Sequence, residues 1–223
     1  FLPEGGNLVV GNYSKIAFKT VGPDGLGKDV KGTVTDDAGE EITKFESSHA
    51  GMGCFALVAK AGKTYKANIT FTDGTTTTLD LPKAEAAGYT LSLNNTNPDT
   101  VRIRIAGGAN GPMQKLRLAA QACGKVYYEV ENNSDNKSFS VAIPKGKFPT
   151  GIIQFTLLSP SGEPLNERLA FIENNSKTTL GIKPDKQTYS SRQKVKIQLN
   201  AKNGAKPSTG SYSVAGTDED KVP

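Results

Sequence analysis

An imidazole close to a thiol is the first place to look for chemistry, because the ring can take the thiol proton and leave a nucleophilic thiolate. His49 and Cys54 offer that pairing within Ser48-His49-Ala50-Gly51-Met52-Gly53-Cys54, and His49 is the one histidine of the chain. Residues five apart on a strand and turn do not meet side chain to side chain with a third group orienting the base, so the segment predicts a structural turn whose glycines take a special backbone conformation. Structural zinc wants four Cys or His ligands, and two cysteines and one histidine fall short. Carboxylates crowd together at Asp36, Asp37, Glu40 and Glu41, and again at Asp218, Glu219 and Asp220, but neither run has the spacing of a calcium loop. Solvated turns are expected there, with calcium as the alternative.

The glycines at Gly5-Gly6 and between Gly107 and Gly111 lack the strand-to-helix setting of a phosphate cradle and read as turns or bulges. Tyr127-Tyr128 is the most aromatic spot. Strand neighbours face opposite sides, so one ring is expected to pack inward and the other to be available to a ligand. No aromatic platform accompanies any pair of carboxylates, as glycoside hydrolysis would need. The expectation is therefore no catalytic residue, no metal and no cofactor.

Those side chains must be carried by strands. Apolar residues alternate with polar ones at Ile16 and Phe18 within 15–21, and at Tyr65, Ala67, Ile69 and Phe71. Asp73-Gly74 before a Thr-rich run predicts a hairpin, and further strands are expected over 30–35, 42–48 and 53–59. Residues 82–88, PKAEAAG, read as a linker. The alternation restarts at Tyr89, Leu91 and Leu93 and continues through Val101, Ile103 and Ile105, Leu116 and Leu118, 126–130, Phe139 to Ile143, Ile153 to Leu157, and a last strand near 169–172. Composition favours helix over 113–123, but Leu116, Leu118 and Ala120 alternate, which predicts a strand. A third series opens at Leu180, Ile182, Val195, Ile197 and Leu199. The prediction is all-β: tandem antiparallel sandwiches over 1–87 and 88–176, and the truncated start of a third domain over 177–223.

Composition agrees, with 36% hydrophobic residues for packed cores and 24 glycines for tight turns. The net charge of +5 reads as basic residues scattered among 22 acidic ones rather than a stripe, so nucleic acid is not an expected partner. Cys54 and Cys123 fall in different expected domains, which predicts free or buried thiols rather than a disulfide. No run of 18 apolar residues predicts a membrane-spanning helix. A chain opening on Phe1 instead of Met reads as an excised piece of a longer protein.

The segments FLPEGGNLVVGNYSKIAFKT, SHAGMGCF, IIQFTLLSPSGEPLNERLAFI and IKPDKQTYSSRQKVKIQLNAKNG together resemble the macroglobulin-like, immunoglobulin-type repeats of outer-membrane and TonB-receptor-associated proteins of the Bacteroidetes. The resemblance implies export to the periplasm or cell surface. It also implies a non-enzymatic structural or protein-interaction role, with other domains of the parent chain and an outer-membrane protein as partners. Membrane association would come only through other parts of that parent. True α-2-macroglobulins form an internal thioester from a Cys-Gly-Glu-Gln run; Cys123-Gly124-Lys125-Val126 departs at both decisive positions, so no thioester is expected. Asp99-Thr100-Val101 resembles the O-glycosylation pattern of Bacteroidetes, which makes Thr100 a candidate acceptor. Two alternative functions remain open: a protease-sensing or inhibitor segment, and a carbohydrate-binding or adhesin module of a nutrient-uptake system, against which the absence of Trp counts.

Overall fold

The computed structural model describes residues 1–111, 114–132, 138–174 and 178–215. They form two compact units, Phe1–Glu173 and Asn174–Pro223. Seven strands open the first unit: β1 Leu2–Pro3, β2 Tyr13–Lys19, β3 Val30–Asp36, β4 Glu41–Glu46, β5 Met52–Val58, β6 Tyr65–Phe71 and β7 Thr76–Asp80. Seven more follow: β8 Tyr89–Asn94, β9 Thr100–Gly107, β10 Arg117–Ala122, β11 Lys125–Glu131, β12 Ser138–Pro144, β13 Gly151–Leu158 and β14 Pro164–Ile172. The first set makes sheets β1-β2-β5 and β4-β3-β6-β7, and the second makes β8-β9-β12 and β11-β10-β13-β14. Numbered one to seven within each set, the orders are identical, 1-2-5 and 4-3-6-7, and every pairing between named strands is antiparallel. The chain is thus built of immunoglobulin-like antiparallel β-sandwiches in tandem.

Alternation does the sorting. Along β2, Ser14, Ile16 and Phe18 are buried while Tyr13, Lys15, Ala17 and Lys19 face out; along β9, Val101, Ile103 and Ile105 are buried between exposed Arg102 and Arg104. One core gathers residues from Leu8 to Leu81, the other from Tyr89 to Ile172. The core therefore changes within 82–88, yet both sandwiches belong to a single compact unit. The first core holds an aromatic cluster in which Phe18 and Phe45 lie 5.1 Å apart and Phe45 stacks on Phe55 at 5.3 Å. Gly53 makes room for it, since a Cβ there would sit 2.5 Å from both the Phe18 ring and the Glu46 carbonyl.

One strand departs from expectation, and one that composition left ambiguous is a strand as the alternation predicts. The last strand of the second sandwich begins at Pro164, not near Leu169, because the turn at Ser159–Gly162 closes immediately: the Glu163 and Ser159 backbones pair and the Ser159 hydroxyl accepts from the Glu163 N–H. Residues 117–122 of the ambiguous segment are strand, paired on both sides by β11 and β13; Met113 lies outside the described residues.

The sandwiches are joined by the first dozen residues. The Asn166 amide, 5% exposed, donates to the Gly5 and Tyr89 carbonyls, each at 2.9 Å. One Glu4 carboxylate oxygen accepts from Arg168 Nε at 3.1 Å and from the Leu93 N–H at 3.2 Å, and the Asn12 amide donates to the Ala106 carbonyl at 3.0 Å. Along β14, outermost in its sheet, side chains occupy two backbone carbonyls: Arg168 Nη1 donates to Leu169 and the Asn95 amide to Phe171, both at 2.8 Å.

The second unit contains β15 Thr178–Pro184, β16 Ile197–Asn203 and the two-residue β17 Lys206–Pro207, in that order in one sheet. Leu180 faces Ala201, Ile182 faces Leu199 and Pro184 faces Ile197, so one side of the hairpin is apolar and the other carries Thr179, Lys183, Gln198 and Lys202. The equivalent pairs of β8 and β9, Leu91 with Ile105 and Leu93 with Ile103, line a buried core, whereas Ile182 here is 64% exposed and Ile197 51%.

Candidate functional site

His49 and Cys54 are not brought together as a catalytic pair. His49 and Met52 close a two-residue turn in which each backbone N–H donates to the other's carbonyl, and Ala50 and Gly51 both take positive φ, 46° and 73°. A turn of this kind needs that conformation at both central positions, which Gly51 meets freely and Ala50 only with strain. The open depression of about 570 Å³ beside Cys54 is lined by Lys31, Lys44, Phe45, Glu46 and Thr70 among others, without His49. Both cysteines are free and exposed, which removes the buried alternative. Cys123 stands at the tip of the β10–β11 hairpin with φ of 48°.

The acidic turn is organised around an ammonium group. Lys63 Nζ lies 3.0 Å from Asp36 and 2.9 Å from Asp37. Asp36, 5% exposed, also accepts from the Ala38 and Glu40 N–H groups at 2.9 and 3.0 Å. The Lys63 hydrogen bond, seconded by those backbone donors, holds the Asp36 carboxyl below the usual carboxylate range. Asp37 and then Asp36 raise the Lys63 ammonium above its ordinary value. Glu41 turns instead toward Lys44 at 3.6 Å, and Glu40 is exposed. Lys63 thus sits where a cation bound by Asp36 and Asp37 would sit. Among the described residues no three Cys, His, Asp or Glu side chains gather as a metal site; Asp218, Glu219 and Asp220 lie outside them.

Tyr127 and Tyr128 do not divide between inside and outside. Ala120 pairs with Tyr128 while Gln121 pairs with Val126, leaving Tyr127 as the extra residue of a β-bulge. The bulge breaks the two-residue alternation, and both rings pack, partly buried, against the second core. Each also carries a cation, Lys125 Nζ 5.2 Å from the Tyr127 centroid and Lys147 Nζ 5.0 Å from that of Tyr128. Thr100 is the half-buried first residue of β9; its N–H donates to the Asn97 side chain at 2.9 Å.

The feature that sequence reasoning missed lies at the joint. A groove of about 340 Å³ runs between β1 and β14, lined by Leu2, Glu4, Lys15, Arg168 and Leu169 among others. Leu2 is 69% exposed. Farther along β14, Phe171 opposes Ile152 of β13, and both are exposed together with Leu169. This is an apolar strip with charged margins, suited to contact rather than bond-breaking. Its components stand at opposite ends of the first unit's sequence, and only the periodicity of 152, 169 and 171 hinted at a shared face.

No family model matches the chain, and no curated protein matches it. Among solved structures it is similar to the human OSCAR ligand-binding domain, 12% identical over 74% of this chain and 92% of that one, with a TM-score of 0.25. It is also similar to a β-glucuronidase of Ruminococcus gnavus, 15% identical over 87% of this chain and 37% of the enzyme, again with a TM-score of 0.25. Likenesses at that level carry no argument about what the chain does.

Proposed function

We propose that the chain is a non-enzymatic structural or protein-interaction module, a macroglobulin-type segment of a larger exported, outer-membrane-associated protein. The observation that carries this reading is the joint. Two sandwiches of one topology are fixed to each other by the buried Asn166 amide and the shared Glu4 carboxylate, beside an exposed apolar strip. A pair locked in this way serves to hold neighbours at a set separation or to present a fixed surface to another protein. The apolar side of β15 and β16 matches in register the face that β8 and β9 bury, which supports reading the second unit as the first strand pair of a third repeat.

Replacing residues 1–173 of the parent protein by an unrelated, equally rigid sandwich pair tests the two roles. Retained surface function marks a spacer; loss of function, with loss of partner capture when Phe171→Ser and Ile152→Ser are introduced in the native segment, marks a binding surface. Turnover of ester, peptide or glycoside substrates by the purified chain that disappears on His49→Ala or Cys54→Ala would overturn both.

A further inference from the structure

The surplus of positive charge is not scattered. Residues 1–173 carry 18 Lys and Arg against 18 Asp and Glu, a net charge of zero; residues 174–223 carry nine against four, which is the entire +5 of the chain. The four acids of the second unit include Asp218, Glu219 and Asp220, so residues 178–215 hold seven basic side chains and one acid, Asp185. That acid is occupied internally: its carboxylate accepts from the Tyr189 hydroxyl and from the Lys196 N–H. Lys183 and Lys202 stand on the polar side of the hairpin, and Lys186, Arg192, Lys194 and Lys196 lie on the connection between its strands. All six are exposed, and among the described residues none is in an ion pair, whereas the first unit pairs Lys44, Lys63, Lys66, Arg117 and Arg168 with acids.

We propose that the second unit docks the chain on an anionic lipid surface through the polar side of the hairpin and the exposed cations of its connection. The charge is complementary to such a surface and repels a second copy. Its chemistry is diffuse: six of the seven basic residues of 178–215 are lysines, point charges without the fork that recognises one phosphate or carboxylate in two-pronged fashion. Residues 178–215 hold two aromatic side chains, Tyr189 and Tyr212, beside seven basic ones, so the aromatic interleaving that single-stranded nucleic acid calls for is sparse. The apolar side of the hairpin faces the opposite way and plays no part. The proposal stands on the charge map and not on the spacer reading, so the two fail separately.

Flotation of the intact chain with phosphatidylcholine vesicles, with and without about 30% phosphatidylglycerol, tests it. The expected result is a bound fraction roughly tenfold higher on the anionic vesicles at about 20 mM salt, falling to the neutral-vesicle level at about 300 mM. Lys183→Glu with Lys194→Glu and Lys202→Glu abolishes the difference. The matched set Lys19→Glu, Lys31→Glu and Lys83→Glu in the first unit preserves it. Unchanged far-ultraviolet circular dichroism shows that both sets fold. Equal binding to neutral vesicles, equal loss in the two variants, or preference for dextran sulfate over the vesicles overturns the proposal.

Discussion

Replacing Asn166 by Ala removes one amide that serves two backbone carbonyls, Gly5 and Tyr89, at 2.9 Å each. The site is 5% exposed, so water does not readily take over. A hydrogen bond contributes about 0.5–1.5 kcal/mol net, and a buried group left unsatisfied costs about 1–3 kcal/mol. Losing both bonds at this buried site therefore places the loss at about 2–4 kcal/mol. With a urea slope of about 2 kcal/mol/M, the unfolding midpoint of the first unit falls by roughly 1–2 M. Tyrosine fluorescence reports it, because the chain has seven Tyr and no Trp. Asn166→Asp keeps the shape but turns a carboxylate toward two carbonyls. It destabilises more than Ala at neutral pH and recovers as acid protonates it, since the protonated form alone can donate. A midpoint within about 0.3 M of wild type for Asn166→Ala, or an Asp variant indifferent to pH, would refute the claim that this amide fastens the joint.

Four further outcomes follow from the geometry. Gly53→Ala forces a Cβ to 2.5 Å from the Phe18 ring and the Glu46 carbonyl, and should lower stability by about 1–3 kcal/mol in the same titration. Cys123→Asn relieves a positive φ at a hairpin tip and should raise stability by about 0.5–1 kcal/mol, measured by thermal or urea unfolding. Asp36 is held below its ordinary range, so its contribution is present above about pH 4 and lost as the pH falls through the lowered value; Lys63 is held above its own, so its share persists up to about pH 10 and is lost beyond. The stability gap between wild type and Lys63→Met should accordingly be flat around neutrality and shrink in acid. Millimolar calcium should leave the wild-type melting temperature unchanged, because the Lys63 ammonium already occupies the position between Asp36 and Asp37.

Where strands run was legible because period-two alternation is a local property: β2, β6, β9 and β13 each declare a buried side in their own residues. Position within the fold was not, because partners are remote. Nothing near Asn166 announces a bond to Gly5, 161 positions away, and nothing near Asp36 announces Lys63. The Tyr127 bulge defeated the alternation rule for a related reason, since an extra residue becomes visible only against the strand it pairs with. The charge asymmetry was present in the sequence all along, hidden by a total that mixes an electroneutral unit with a basic one.

The two capped carbonyls on β14 bear on how the molecule behaves in a crowd. A sheet rim with two neighbouring acceptors already taken offers, at that stretch, a poor template for a strand from a neighbouring molecule. Uncontrolled growth into fibrils is discouraged at the spot where Leu169 and Phe171 would otherwise invite it. The sticky side chains can stay on display while the backbone beneath them is kept from recruiting others.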